Sequence, residues 1–183
     1  MHDELIRRVV EELRDSLTGR FLGKIYQLTP LSFAFDFGLR GSFLFVSVEP
    51  SSPRMYLIER RARDVQKASV QLAHFGQLLG ARTNGAALVS VEKDPRDRVV
   101  RFSFRFDDQF YKVIVQLTGR TSNLFLVDDA DCILAVLRGY GRQLPGEIYS
   151  PPPAPEFRDK QSVSISGSPS AYADAFYTRV DAE

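Results

Sequence analysis

Two runs of alternating apolar residues, separated by a short polar segment, constrain the fold of this chain more than any other feature. Alternation with a period of two is typical of strands that bury one face. The polar segment between the runs reads Gly-Arg-Thr-Ser-Asn and occupies residues 119–123. The pattern therefore predicts two strands joined by a tight turn that carries an arginine. The apolar residues that define the two faces are Val113, Val115, Leu117, Leu124 and Leu126.

The residues of this polar segment allow two interpretations. Gly119 permits a left-handed backbone, and Arg120 offers a planar fork of donors that suits phosphate or carboxylate. Ser122 and Asn123 can bond either the local backbone or a ligand. The first interpretation is a β-bulge or turn in which Arg120 pairs with an acidic neighbour, and the second is a binding site. The local pattern alone favours the first.

The rest of the chain predicts an α+β fold, a mainly antiparallel β-sandwich flanked by two helices. Helical spacing of apolar residues predicts helices over 3–17 and 65–81. Asp107-Asp108 and the acidic segment 128–131 stand where hairpin turns belong. Alternating Phe and Arg along 101–106 predicts an antiparallel sheet with one face in water. Strands are predicted over 22–28, 31–37, 43–48, 55–58, 87–91, 99–106, 111–117, 124–127 and 133–137.

Composition excludes several classes of function. The 183 residues carry a net charge of +1, so any binding to a polyanion must use a local patch. A single cysteine, Cys132, excludes an internal disulfide and a multi-cysteine metal site. The sequence lacks a signal-peptide pattern and a run long enough to span a bilayer. We expect a cytoplasmic protein with no membrane partner.

Two charged motifs are candidate sites for nucleic acid. Residues 54–67 hold five cations and two carboxylates, which fits either a phosphate-binding patch or a solvated helix face. Asp97-Arg98 stands at the start of a predicted strand. There it is either a turn-stabilising pair or an arginine held for phosphate contact. For each motif taken alone, the structural interpretation is the commoner one.

No catalytic, cofactor or metal motif is evident in the sequence. The aspartates at 128, 129 and 131 lack the central glycine and closing glutamate of a calcium loop. His74 has no second ligand at zinc spacing. Nucleophile elbows, phosphate-binding loops and dinucleotide fingerprints are missing. We expect no enzyme activity, no cofactor and no small-molecule substrate.

Composition changes after residue 144 and predicts three regions. Residues 1–144 form a domain, and the Pro- and Ser-rich stretch 145–170 reads as an extended linker. Residues 171–183 read as the start of a following helical region that is cut short.

Several motifs, in order along the chain, resemble the N-terminal domain of the NFACT family. This family includes proteins called fibronectin-binding protein A, RqcH and nuclear export mediator factor. The most specific motifs are Asp-Arg-Val-Val at 97–100, Leu-Thr-Gly-Arg-Thr-Ser-Asn-Leu at 117–124, and Leu-Pro-Gly at 144–146 followed by Tyr149 and the prolines of 151–153. Supporting motifs lie at 12–13, 19–20, 24–27, 47–54 and 75–79.

The resemblance implies a fold shared with the N-terminal domain of formamidopyrimidine-type DNA glycosylases. It implies a non-catalytic RNA-binding role in ribosome-associated quality control. In that role the protein binds tRNA on a stalled large ribosomal subunit and supports alanine tailing of the nascent chain. Two other functions stay open: a surface adhesin that binds fibronectin, and a glycosylase-like enzyme. His2 stands where such enzymes carry their nucleophilic N-terminal proline.

The resemblance also implies which residues bind RNA. Asp97 and Arg98 match the Asp-Arg pair that the family uses to handle tRNA, and Asp3 matches an N-terminal acidic residue. The chain departs from the family in having Gln116 and Thr121 where Glu and His are usual. The full set of predicted RNA-binding residues is Asp3, Lys24, Arg54, Asp97, Arg98, Arg120, Ser122 and Asn123.

Overall fold

Two antiparallel sheets form the body of the protein, as seen in a computed structural model that describes residues 2–95, 97–139 and 143–152. The first sheet has four strands in sequence order, and the second has five. The first contains β1 (Ile25–Thr29), β2 (Ser32–Phe35), β3 (Ser42–Ser47) and β4 (Arg54–Glu59). The second contains β5 (Ala87–Lys93), β6 (Val99–Phe106), β7 (Gln109–Gln116), β8 (Asn123–Asp128) and β9 (Ile133–Val136). The predicted α+β class with antiparallel pairing is confirmed.

The two sheets face each other across a phenylalanine-rich core. Because side chains alternate along a strand, one face of each sheet collects the apolar residues. Phe35 and Leu44 of the first sheet and Val113 of the second line the same small internal cavity. The ring of Phe37 stacks on that of Phe104, with 6.3 Å between ring centroids. These contacts join the two sheets into a sandwich.

Helices close the two open sides of this sandwich. The first helix, α1 (Asp3–Leu17), packs against the edge strands β5 and β4. The predicted bounds of this helix, 3–17, are confirmed. On the opposite side, α3 (His74–Thr83) contacts the edge strands β9 and β1. Covering both pairs of edges removes strands that could otherwise pair with another chain. The apolar stripe of α1 is fully buried and consists of Ile6, Val9, Val10, Leu13 and Leu17.

The prediction of one helix over 65–81 is wrong, because the chain forms two helices there. They are α2 (Ala62–Ala68) and α3, separated by an extended segment. Gln27, which is 2% exposed, accepts hydrogen bonds from two backbone amides of that segment. Its carbonyl oxygen accepts from Val70 N at 2.8 Å, and its side-chain Oε1 accepts from Ala73 N at 2.8 Å. The described part of the chain therefore has three α-helices rather than the predicted two.

The predicted strand over 22–28 begins later than expected. Residues 19–22 instead pair with the start of the five-stranded sheet, through Gly19 N to Leu88 O at 2.8 Å and Leu22 N to Ala86 O at 2.9 Å. The chain then crosses to the other sheet and starts β1 at Ile25. Gly19 has a φ of 83°, which a glycine adopts without strain.

The outer face of the five-stranded sheet is partly covered by the segment after β9. Tyr149 packs its ring edge-on against Phe125, with 5.0 Å between centroids. The backbone of this segment bonds β9, through Ile133 N to Glu147 O at 2.8 Å. The predicted division at residue 144 stays a prediction, since most of the linker and all of 171–183 lie outside the described residues. The glycosylase resemblance also stays a prediction. None of the three described helices combines the length and apolarity that a membrane crossing requires.

Candidate functional site

Five of the predicted site residues meet at one end of the five-stranded sheet. Antiparallel register places the start of β6, the end of β7 and the start of β8 side by side, with Val99 opposite Gln116 and Gln116 opposite Asn123. The loops that enter and leave these strands therefore converge. We call this region the polar edge and define it by Asp97, Arg98, Arg120, Ser122, Asn123 and Arg138.

Asp97 holds the backbone of Arg98 in place. Its Oδ1 accepts a hydrogen bond from Arg98 N at 2.6 Å, while Arg98 O accepts one from Leu117 N at 2.8 Å. The second oxygen of Asp97, Oδ2, is buried and accepts no hydrogen bond from the residues that the structure describes. The Arg98 side chain is partly exposed, and no described residue accepts a hydrogen bond from its guanidinium. The backbone at this position is thus fixed, and the cation is available.

A partly buried ion pair supports the loop that carries Asp97. Arg101 donates two hydrogen bonds to Asp94, and these bonds raise the pKa of Arg101 above its ordinary value. The Arg101 guanidinium also lies over the ring of Tyr149, 5.2 Å from its centroid. Burial raises the pKa of the Tyr149 phenol, so the phenol stays protonated and can donate. It donates to Gln116 Oε1 at 3.4 Å.

The polar segment 119–123 forms a short 3₁₀ turn, Gly119–Thr121, between β7 and β8. Gly119 has a φ of 72°, so the predicted left-handed glycine turn is confirmed. Gln116, which is 4% exposed, donates from Nε2 to Thr121 O at 2.6 Å and to Thr118 Oγ1 at 3.0 Å. Two hydrogen bonds from one buried side-chain amide thus close the turn. The side chain of Arg120 points from this turn and is exposed.

Asn123 is a brace of the polar edge rather than an exposed contact. It is 2% exposed, and its Oδ1 accepts from Leu124 N at 3.0 Å and from Arg138 N at 2.9 Å. Its Nδ2 donates to Arg138 O at 2.9 Å. Ser122 is also buried, and its carbonyl oxygen accepts from Arg138 Nη1 at 2.9 Å. The surface of the polar edge is therefore formed by arginines, with Ser122 and Asn123 beneath them.

Sequence reasoning did not identify Arg138 or the pair of Arg101 and Asp94. Arg138 follows β9, and the register of β8 with β9 brings it opposite Asn123. The register of this hairpin shifts at a β-bulge between Leu126 and Val127, so counting back from the predicted turn at 128–131 does not reach this pairing. Arg101 lies on the face of β6 that was predicted to be wet, and no local signal identified Asp94 as its partner.

Asp3 is connected through one lysine to Asp94, at the start of the loop that carries Asp97. Lys93 Nζ lies 2.6 Å from Asp3 Oδ1 and donates to Asp94 O at 3.1 Å. This bridge joins the first turn of α1 to the end of β5. Asp3, Lys93 and Asp94 line an open cleft together with Arg7 and Arg14.

The other two predicted site residues lie on the four-stranded sheet, away from each other. Arg54 begins β4 and stands opposite Ser47, at the end of the sheet that contains Thr29 and Ser32. Lys24 precedes β1 at the opposite end. The structure therefore does not gather all eight predicted residues into one site.

The described residues contain no group of three or more His, Cys, Asp or Glu side chains that could hold a metal. The acidic segment 128–131 forms the hairpin turn between β8 and β9, as predicted. Asp128 Oδ1 accepts from Cys132 N at 2.8 Å in that turn. His74 is exposed at the start of α3.

A family model described as NFACT N-terminal and middle domains matches residues 4–177. The chain belongs to the NFACT family. Within this family, the Rqc2 homologue RqcH of Bacillus subtilis strain 168 is 24% identical to this NFACT chain over 161 residues. That match covers 80% of the chain and 28% of RqcH.

Solved structures confirm the fold of the NFACT chain. The N-terminal domain of the fibronectin-binding protein PavA from Streptococcus pneumoniae superposes with a TM-score of 0.70 at 25% identity, covering 82% of this chain and 61% of that one. The N-terminal part of the fibronectin/fibrinogen-binding protein from Streptococcus suis gives 0.69 at 22% identity, with coverages of 81% and 60%. The chain thus spans less than two thirds of these structures and 28% of RqcH.

Proposed function

We propose that this chain is a non-enzymatic RNA-binding module of a cytoplasmic ribosome-associated quality control factor. The module binds tRNA on the stalled large ribosomal subunit and so supports alanine tailing of nascent chains. The observation that carries the proposal is the gathering of Asp97, Arg98 and Arg120 at the polar edge of a protein in the same family as RqcH.

The geometry of the polar edge fits phosphate recognition. Arg98 has a fixed backbone and a partly exposed guanidinium, and Arg120 is exposed on the neighbouring turn. Two planar forks on adjacent loops can bind successive phosphates, each with two parallel hydrogen bonds. Asn123 and Gln116 fix the turn that carries Arg120, so little backbone freedom of this loop is lost on binding.

The net charge of the chain fits a local rather than a global attraction. With a net charge of +1, the protein has no long-range field that would draw nucleic acid to every face. The affinity for RNA must then come from particular arginines, and it falls as salt rises because phosphate contacts release counterions.

Co-purification tests the proposal. The protein is tagged at its own locus and recovered from cells in which ribosomes stall, and the bound RNA is identified. We expect large-subunit RNA and a defined tRNA with the wild-type protein, and a clear loss of the tRNA with Arg98→Ala. The matched control is Arg105→Ala, an exposed arginine farther along β6 and away from the polar edge.

Wild-type protein that recovers neither tRNA nor large subunits at low salt would refute the proposal. Equal recovery of tRNA by Arg98→Ala and Arg105→Ala would show that the polar edge is not the binding site.

Binding to fibronectin is a second candidate function, favoured by the fold shared with the fibronectin-binding protein PavA. It predicts that the purified chain binds immobilised fibronectin and that the native protein is found on intact cells. Detection of both, with no tRNA recovered, would favour this second candidate over the first.

A further inference from the structure

Alternate residues of the edge strand β4 form a cationic and aromatic stripe on the outer face of the four-stranded sheet. Side chains two residues apart on a strand share a face. Arg54, Tyr56 and Ile58 therefore project together, and Arg60 continues the row because its amide still pairs, donating to Gly41 O at 2.8 Å. We call these four residues the β4 stripe.

An arginine and two aromatic rings are packed together at one end of the β4 stripe. Phe45 of β3 stands opposite Tyr56, and their ring centroids are 5.5 Å apart. The Arg54 guanidinium lies over the Phe45 ring, 5.6 Å from its centroid. Tyr56 is 38% exposed, so it presents a large aromatic surface to solvent beside a cation.

The Arg54 side chain is oriented by hydrogen bonds to Ser52 that use only one of its three nitrogen atoms. Its Nη1 donates to Ser52 Oγ at 2.8 Å and to Ser52 O at 3.4 Å. Among the residues that the structure describes, none accepts a hydrogen bond from its Nε or Nη2. The guanidinium thus lies over a ring and keeps the Nε and Nη2 donors for a ligand, an arrangement that suits a phosphate.

The other end of the β4 stripe meets α2. Val65 of this helix packs on Phe43, with Ile58 beside them, and this small cluster does not include Phe45 or Tyr56. An apolar groove runs between Ile58, Arg60 and Val65. The exposed cations along this groove and on the helix are Arg60, Arg61, Arg63 and Lys67.

We propose that the β4 stripe binds unpaired RNA, with a base stacked on Tyr56 and the flanking phosphates on Arg54 and Arg60. Proteins that bind single-stranded nucleic acid combine a cationic track with aromatic side chains on which bases stack. The two arginines stand six positions apart along the chain, about 20 Å at 3.3 Å per residue. That length accommodates several nucleotides of an extended strand. Duplex RNA fits poorly, because its bases are paired and their faces are not available for stacking.

Charge complementarity favours RNA over a protein segment as the ligand of this surface. Residues 54–67 carry five cations and two carboxylates, whereas the whole chain has a net charge of only +1. The positive charge is therefore concentrated beside the exposed aromatic ring. The tyrosine ring can stack on any base, and the arginine contacts the phosphate that every nucleotide carries. The site is therefore expected to tolerate many sequences.

The β4 stripe and the polar edge belong to different sheets, so the two proposals concern separate sites. The inference rests on the proposed function only because the ligand of each site is RNA. The chain contains no tryptophan, so Tyr56→Trp introduces a unique indole. The experiment titrates the whole 183-residue chain with a 12-nucleotide oligouridine and follows both the anisotropy of the labelled RNA and the fluorescence of that indole.

We expect the oligouridine to quench the indole of the Tyr56→Trp protein and high salt to reverse the quenching. We expect Tyr56→Ala to weaken binding by about 5- to 100-fold, the loss of one stacked base, while Tyr56→Phe keeps the ring and the affinity. The matched control is Phe110→Ala, which removes a ring that is 41% exposed but lies beside Asp108 and Asp129. It is expected to leave the affinity unchanged.

The inference would be overturned by an absence of quenching, by equal affinities of Tyr56→Ala and wild type, or by equal binding of oligouridine and duplex RNA. Quenching of the indole by a bound protein but not by oligouridine would also overturn it. Arg98→Ala separates the two proposals, since it should reduce tRNA recovery from cells and leave the quenching intact. If oligouridine quenches the indole but no tRNA is recovered from cells, RNA binding by the β4 stripe is supported and the proposed function is refuted.

Discussion

Arg101 donates to both carboxylate oxygens of Asp94, through Nε at 2.7 Å and Nη2 at 2.9 Å. The backbone of Asp94 is bonded to the start of the same strand, through its N to Val99 O at 2.9 Å. The side-chain pair and the backbone bond together fix one end of the loop that carries Asp97 and Arg98. The position of Arg98 therefore depends on an ion pair that does not itself belong to the polar edge.

Arg101→Lys is expected to lower the free energy of unfolding by about 1–2 kcal/mol. Lysine keeps the charge but not the planar fork, so one of the two hydrogen bonds to Asp94 is lost. The side chains of the pair are only about one fifth exposed, so water replaces the lost bond poorly. Chemical denaturation measures the change. Arg105→Lys, four residues along the same strand and exposed, is the matched control. Equal stabilities of the two variants would mean that the ion pair does not support the loop.

Asn123→Asp is expected to destabilise the fold by about 1–3 kcal/mol. The carboxylate keeps the acceptor for Leu124 N and Arg138 N but loses the donor to Arg138 O, and it places a buried charge against that carbonyl. Thermal unfolding measures the loss. Asn84→Asp changes an exposed asparagine and should cost only a few tenths of a kcal/mol. A wild-type melting temperature for Asn123→Asp would contradict the bracing role.

The stability of the protein should fall at alkaline pH partly through Tyr149. Burial raises the pKa of its phenol above the ordinary value of 10.0. Above about pH 10 the unfolded chain releases this proton while the folded protein keeps it, so the free energy of unfolding falls as pH rises. Below about pH 10 the group is protonated in both states and contributes no pH dependence.

Tyr149→Phe removes this contribution. We expect its unfolding free energy to decline less steeply above about pH 10, by up to about 1.4 kcal/mol per pH unit, in denaturation curves across the alkaline range. The matched control is Tyr56→Phe, which removes the hydroxyl of an exposed tyrosine. Parallel pH profiles for wild type and Tyr149→Phe would show that the phenol ionises equally in both states.

Salt dependence should distinguish a phosphate contact at Arg98 from an indirect effect. If Arg98 neutralises one phosphate, Arg98→Ala reduces the slope of log K against log salt concentration by about 1. Binding of tRNA to the protein, measured by anisotropy between low and moderate salt, gives this slope. An unchanged slope with a uniformly lower affinity would indicate that Arg98 acts on the structure of the polar edge instead.

Local sequence patterns were enough to predict most of the strands, the first helix and the tight turns. Alternation along 99–106 matches β6 (Val99–Phe106), because a strand with one face on the core and the other in water buries every second side chain. The helical stripe of residues 3–17 likewise matches α1 (Asp3–Leu17). These features are local. Each follows from a spacing of apolar residues that only one type of secondary structure can place on a single buried face.

Features that depend on contacts far apart in the chain could not be predicted from local patterns. Gln27 lies on β1 and accepts hydrogen bonds from Val70 and Ala73 in the extended segment that follows α2. No pattern within 65–81 indicates that Gln27 is the partner of this segment. Sheet register likewise decided the roles of the polar segment. It buries Asn123 against Arg138 and leaves Arg120 exposed, although neighbouring residues in the sequence look equally able to bind. A residue's exposure is set by what packs over it, so the sequence indicated the polar edge and the fold selected the side chains that form its surface.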